Sequence, residues 1–165
     1  MELIKRLKER SPEYPAVYEN LISIFTMTQG GRAGSSSDSS AWAQGKYFTT
    51  KYEIFMYAAF LGIKRKYRLQ LTNNEKNISF WEIKNWQPVE LVNYLIMSIL
   101  TVSDIDFNQL EELSDDDVEK KITDLKKILE EYANGGFDII RAKYEDDSTY
   151  FENNDNCFLD LLSNL

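Results

Sequence analysis

Thr50-Lys51-Tyr52-Glu53-Ile54-Phe55-Met56-Tyr57-Ala58-Ala59-Phe60-Leu61-Gly62 is the stretch on which the fold turns. Thr50 and Glu53 stand three residues apart. At that spacing a threonine hydroxyl and a glutamate carboxylate each satisfy a free amide at the start of a helix. Behind this capping box, Ile54 to Leu61 is apolar almost all round, which predicts a central helix buried on every face. Gly62 reads as its terminator. Lys64, Arg65, Lys66 and Arg68 follow, where cations meet the negative end of a helix dipole.

A helix with no polar face needs other elements to cover it, and the flanking sequence supplies amphipathic ones. A first helix is expected from Met1 or Glu2 to before Ser11. Ser11 then reads as an N-cap with Pro12 at the first helical position. Tyr14, Val17, Tyr18, Leu21, Ile22 and Phe25 fall on one helical face behind it. Downstream, Tyr67, Leu69 and Leu71 alternate, Asn73 to Asn77 make a turn, and Ile78 and Phe80 alternate again, which suggests a short β-hairpin. An ordered loop carrying Trp81 and Trp86 into the core is the alternative. Pro88 opens a helix whose stripe is Leu91, Val92, Leu95, Ile96, Ile99 and Leu100, and Asp106 to Leu113 reads as a short helix or turn.

Ser114 caps a longer helix, with Asp115, Asp116 and Asp117 in the first turn, where the dipole favours anions. Its stripe is Val118, Ile122, Leu125, Leu129 and Tyr132, a seam suited to a core or to a partner. Asn134-Gly135-Gly136 is expected to end or break it, and Phe137, Ile140 and Tyr144 then suggest a further short helix. Residues 145–156 read as an acidic loop, and Phe158, Leu159, Leu161, Leu162 and Leu165 as a terminal amphipathic turn or two. Gly and Ser crowd residues 29–45, which predicts a flexible loop. The expectation is one mainly α domain over residues 1–165, with five to seven helices around the Thr50–Leu61 helix and one short β-hairpin at most.

Composition narrows the function classes. Hydrophobic residues make up 43% of the 165-residue chain, a globular proportion. No apolar run approaches the ~18–20 residues of a membrane span, and the N-terminus lacks a secretory apolar core. With one cysteine, Cys157, no internal disulfide forms, and a reducing, cytoplasmic setting fits. Histidine is absent, which removes Ser-His-Asp and Cys-His catalysis and Cys/His zinc sites within this chain. Catalysis by carboxylates or lysine stays open. The net charge of −8 is uneven: residues 1–70 hold eleven Lys and Arg against six Asp and Glu, and the remainder is strongly acidic.

Each chemical motif competes with a plainer reading. The Gly30–Ser37 stretch departs from a P-loop, because Ser35 stands where the phosphate-binding lysine belongs. Asp115, Asp116, Asp117 and Glu119 lack the ligand spacing of a calcium loop and read as helix-capping charges. Cys157 has no cation beside it in sequence to lower its pKa and reads as a structural thiol. Glu130 and Glu131 read as solvated. Lys64, Arg65, Lys66 and Arg68 with Tyr67 among them form a candidate nucleic-acid-binding turn, which Lys46, Lys51 and Arg32 could join. The plainer reading is a helix cap and a solvated turn.

Two stretches carry a family resemblance. One is Phe48 to Gly62, an aromatic-rich helix ending in A-A-x-x-G with a basic run after it. The other is Glu130-Glu131-Tyr132-Ala133-Asn134-Gly135-Gly136-Phe137, of the form E-x-Y-A-x-x-G-hydrophobic. Together they resemble small proteins associated with bacterial DNA phosphorothioation (Dnd) and related anti-phage defence islands. The resemblance implies an accessory subunit working with a larger protein encoded nearby, such as a nuclease or ATPase. It brings no catalytic residues and no cofactor. The leading expectation is thus a non-enzymatic accessory or adaptor subunit, with Val118, Ile122, Leu125, Leu129 and Tyr132 as the candidate partner face. The alternative is a DNA- or RNA-binding module using Lys64, Arg65, Lys66, Tyr67 and Arg68. Self-association is left open.

Overall fold

The computed structural model describes residues 2–27 and 47–163. The Gly/Ser segment expected as a loop, residues 29–45, lies outside them. The described residues form seven α-helices and one two-stranded antiparallel sheet, in agreement with a mainly α domain. In chain order these are α1 (Glu2–Lys8), β1 (Glu13–Pro15), α2 (Glu19–Phe25), α3 (Lys51–Lys64), β2 (Asn77–Ser79), α4 (Val89–Val102), α5 (Asp115–Asp146), α6 (Thr149–Asn153) and α7 (Cys157–Ser163).

α3 lies at the centre, as its apolar sequence requires: Ile54, Phe55, Met56, Ala58, Ala59 and Leu61 are all buried. The capping box forms in full. The Thr50 hydroxyl accepts from the Glu53 amide at 3.3 Å, and the Glu53 carboxylate accepts from the Thr50 amide at 3.2 Å. The 32-residue α5 runs against α3 and makes the most extensive packing among the described elements. Its N-cap is Ser114, whose hydroxyl accepts from the Asp117 amide at 3.3 Å.

Two expected helix stops prove to be helix interior. Gly62 sits inside α3, and Gly135 and Gly136 sit inside α5 without interrupting it. All three glycines serve close approach. A Cβ on Gly136 would overlap the Ala58 carbonyl, one on Gly62 the Tyr132 carbonyl, and one on Gly135 the Tyr67 carbonyl. Glycine weakens an isolated helix by about 1 kcal/mol relative to alanine. Here the missing side chain lets two backbones and a following segment meet. Phe137, Ile140 and Tyr144 consequently belong to the same long helix, which runs to Asp146.

The second expected helix is also revised. Residues 13–15 are extended, Ala16–Tyr18 form a 3-10 turn, and α2 starts only at Glu19. Pro15 is the cause, because a helix capped by Ser11 would need an amide at position 15 to bond the Ser11 carbonyl. Proline has none, and it drives the residue before it towards extended backbone. β1 pairs with β2 through Glu13 opposite Ser79, Tyr14 opposite Ile78 and Pro15 opposite Asn77. The Ile78 segment is thus a strand, but its partner comes from the N-terminal part of the chain and not from residues 67–71. The last described helix, α7, packs on the domain's own core through one face, with Leu159 exposed and Leu165 outside the described residues. Cys157, Phe158 and Leu161 are buried, and Phe158 meets Phe25, Phe48 and Tyr57 edge to face, with ring centroids 4.9–5.2 Å apart. Residues 145–156, expected as loop, contain the end of α5 and the short α6.

Candidate functional site

The basic turn lies where α3 ends. Lys66 takes the left-handed conformation, φ 52°, and reverses the chain so that residues 67–71 run back along α5. Arg65 Nη2 donates to the Leu161 carbonyl at 2.7 Å, tying the end of α3 to α7. The Tyr67 hydroxyl donates to Asp138 at 2.9 Å, and this charged acceptor raises the Tyr67 pKa. Arg68 forms an ion pair with Glu131, and its guanidinium stands 5.9 Å from the centre of the Tyr132 ring. Arg65, Tyr67 and Arg68 are therefore all engaged with the protein itself. Lys64 and Lys66 are exposed and make no ion pair among the described residues.

The same turn explains the acidic pair in α5. Glu130 and Glu131 are buried, Glu131 to 2% exposure, which corrects their reading as solvated residues. The two are held differently. Glu130 accepts from the Glu13 amide at 2.9 Å and pairs with Lys126 at 3.1 Å, and burial still pushes its pKa up. Glu131 accepts the Arg68 ion pair at one oxygen, while the other has no hydrogen-bond donor and stands 3.9 Å from Lys127. Asn134 donates to the Leu69 and Gln70 carbonyls at 3.1 and 3.3 Å, and the Leu69 amide donates to the Glu131 carbonyl at 3.1 Å. Residues 67–70 are thus strapped to α5 by the polar residues of the Glu130–Phe137 motif. Sequence reasoning missed this strap. Its one local signal is the buried-face spacing of Glu130, Glu131 and Asn134 beside Ala133 and Phe137.

The other candidates are placed as follows. Ile122, Leu125 and Leu129 are buried, and Val118 and Tyr132 pack partly buried against the core, so the fold uses this stripe internally instead of presenting it as a partner face. Lys51 is at the opposite end of the 14-residue α3 from Lys64, about 20 Å away at 1.5 Å per residue. It pairs with Glu19 at 2.5 Å and does not join the basic turn. Arg32 and Lys46 lie outside the described residues. Asp115 and Glu119 pair with Arg6, Glu119 also with Arg10, and Asp117 with Lys120 at 3.2 Å. Among the described residues no group of three or more carboxylates or thiols is arranged to hold a metal ion. Burial raises the Cys157 pKa and suppresses the thiolate. No described helix is long and apolar enough to cross a membrane.

The two motifs singled out in the sequence meet in space. Ala58 and Gly62 of α3, one turn apart, cross Tyr132 and Gly136 of α5, also one turn apart, and Gly135 receives the strap. These features define a small helical domain whose distinctive residues lock a close helix crossing to a polar strap. Residues 38–162 match the family described as DNA sulphur modification system-associated protein 4, and the chain belongs to that family. No curated protein matches it. No solved structure matches it either.

Proposed function

We propose that this chain is a non-enzymatic accessory or adaptor subunit, acting in the cytoplasm with a larger protein of a bacterial complex linked to DNA sulphur modification and anti-phage defence. The observation that carries the reading is the family match over residues 38–162. The engagement of the motif residues in packing supports it: Gly62, Gly135 and Gly136 make the helix crossing, and Glu131 and Asn134 bind the strap. The test is purification of the tagged chain from its host, with and without nuclease treatment. A stoichiometric protein of the same system that survives nuclease is the expected result. A chain that recovers no such protein under either condition overturns the proposal.

A further inference from the structure

Among the described residues, several large apolar side chains are exposed together on the outer face of α4. Its inner face is spent in the core, where Val92, Leu95, Ile96, Ile99 and Leu100 are buried. On the opposite side, Leu91, Tyr94, Met97 and Val102 lie within one arc of the helix, Tyr94 at 72% and Met97 at 56% exposure. The outward positions between them, Ser98 and Thr101, are uncharged, so beyond Glu90 this face carries no charge. A solvated helix face ordinarily carries charges, and a run of exposed apolar side chains marks an interaction surface.

The charge around the face decides what fits it. Residues 85–119 contain nine Asp and Glu and not one Lys or Arg. Asp104 and Asp106 adjoin the C-terminal end of the α4 face, next to the exposed Phe107, and make no ion pair among the described residues. Lys8 is the cation that reaches α4, its ammonium donating to Asn93 at 2.7 Å on the flank of this face away from Asp104 and Asp106, while Arg6 and Arg10 offset Asp115 and Glu119, further along. A second copy would bring like-charged rims together in a protein of net charge −8, and a nucleic acid would be repelled. We infer that the outer face of α4 docks a different protein, which presents an apolar patch bordered by Lys and Arg to meet Leu91, Tyr94, Met97 and the Asp104–Asp106 rim. This rests on the accessory-subunit reading and names the surface through which it would work.

The experiment uses the full-length chain and each purified protein encoded with it in the same gene cluster, assayed pairwise by surface-immobilised binding. Tyr94→Glu with Met97→Glu is the disrupting variant. Both side chains are exposed, so its melting curve should match that of the wild type. Binding should weaken about tenfold or more, as expected when central anchors are lost. Asp104→Lys with Asp106→Lys should slow association and remove its sensitivity to salt. A photo-cross-linker at position 94 should join the chain to the partner in cells. Wild-type binding that the Tyr94→Glu, Met97→Glu variant retains in full would overturn this surface and leave the accessory reading standing. A wild-type chain that binds none of the proteins would overturn both. A cross-link only to a second copy, or to residues 28–46 of the same chain, would also overturn the inference.

Discussion

Gly136 concentrates the packing problem of this protein in one missing methyl group. Its Cα faces the Ala58 carbonyl, and a Cβ there would overlap a backbone atom that cannot rotate aside. Gly136→Ala gains helix propensity but must part α3 from α5. We expect a net loss of about 3 kcal/mol, at the upper end of overpacking costs, read as a lowered urea midpoint. Glu130 is a second residue with a testable signature. Burial raises its pKa, and the Lys126 ammonium and the Glu13 amide only partly offset this. The folded protein therefore holds the Glu130 proton more tightly than the unfolded chain does. Its contribution to stability is greatest below the ordinary glutamate pKa and is lost as pH rises through the raised folded value. Glu130→Gln keeps a carbonyl for the Glu13 amide and has no proton to lose. Urea midpoints measured across that pH range should fall more steeply for the wild type than for the variant.

Among the elements, the strap at residues 67–70 divides the basic turn into structural and surface parts. Arg68→Ala would leave the Glu131 carboxylate buried beside only a distant Lys127. Loss of one partner from a fully buried pair costs about 3–5 kcal/mol. Arg68 is itself partly exposed, so a loss of about 1–3 kcal/mol is expected. Lys64→Ala makes no comparable change and should stay within about 0.5 kcal/mol of the wild type. Chemical denaturation of the two variants side by side distinguishes a structural turn from a solvated one. The N-terminus of α3 obeys a simpler rule. Thr50→Ala removes one half of a reciprocal cap and should cost about 1 kcal/mol, measurable in the same way. The caps at Thr50 and Ser114 are plain in the sequence because donor and acceptor lie three residues apart.

Over the whole molecule, charge limits the alternative role in nucleic-acid binding. Of the turn's cations, Arg65 and Arg68 are held by the Leu161 carbonyl and Glu131, which leaves Lys64 and Lys66 available. Two phosphate contacts would give a shallow salt dependence, with a log-log slope of about −2 on duplex DNA. With the strongly acidic remainder, fluorescence anisotropy should detect no sequence-independent DNA binding at physiological salt. A steep slope would instead show further cations reaching the duplex. The apolar outer face of α4 and its acidic border belong to the same scale, since they arise only when the helix has buried its other side.

What could be read residue by residue was the chemistry of near neighbours: the two caps, the buried character of Ile54 to Leu61, the amphipathic stripes and the mainly α class. These depend on hydrogen bonds and periodicities that span at most a few turns. Pro15 belongs to the same group, since its missing amide forbids the helix expected from Ser11. Tertiary structure alone decided the rest. Gly62 and Gly135-Gly136 have the form of helix stops, and only the opposed backbones of α3, α5 and the strap make them contact points instead. Glu131 has the form of a surface residue until Arg68, 63 positions away, closes over it. β2 finds its partner in Glu13–Pro15, far upstream. In each case the deciding group is distant in sequence, and burial and close approach are properties of the assembled chain.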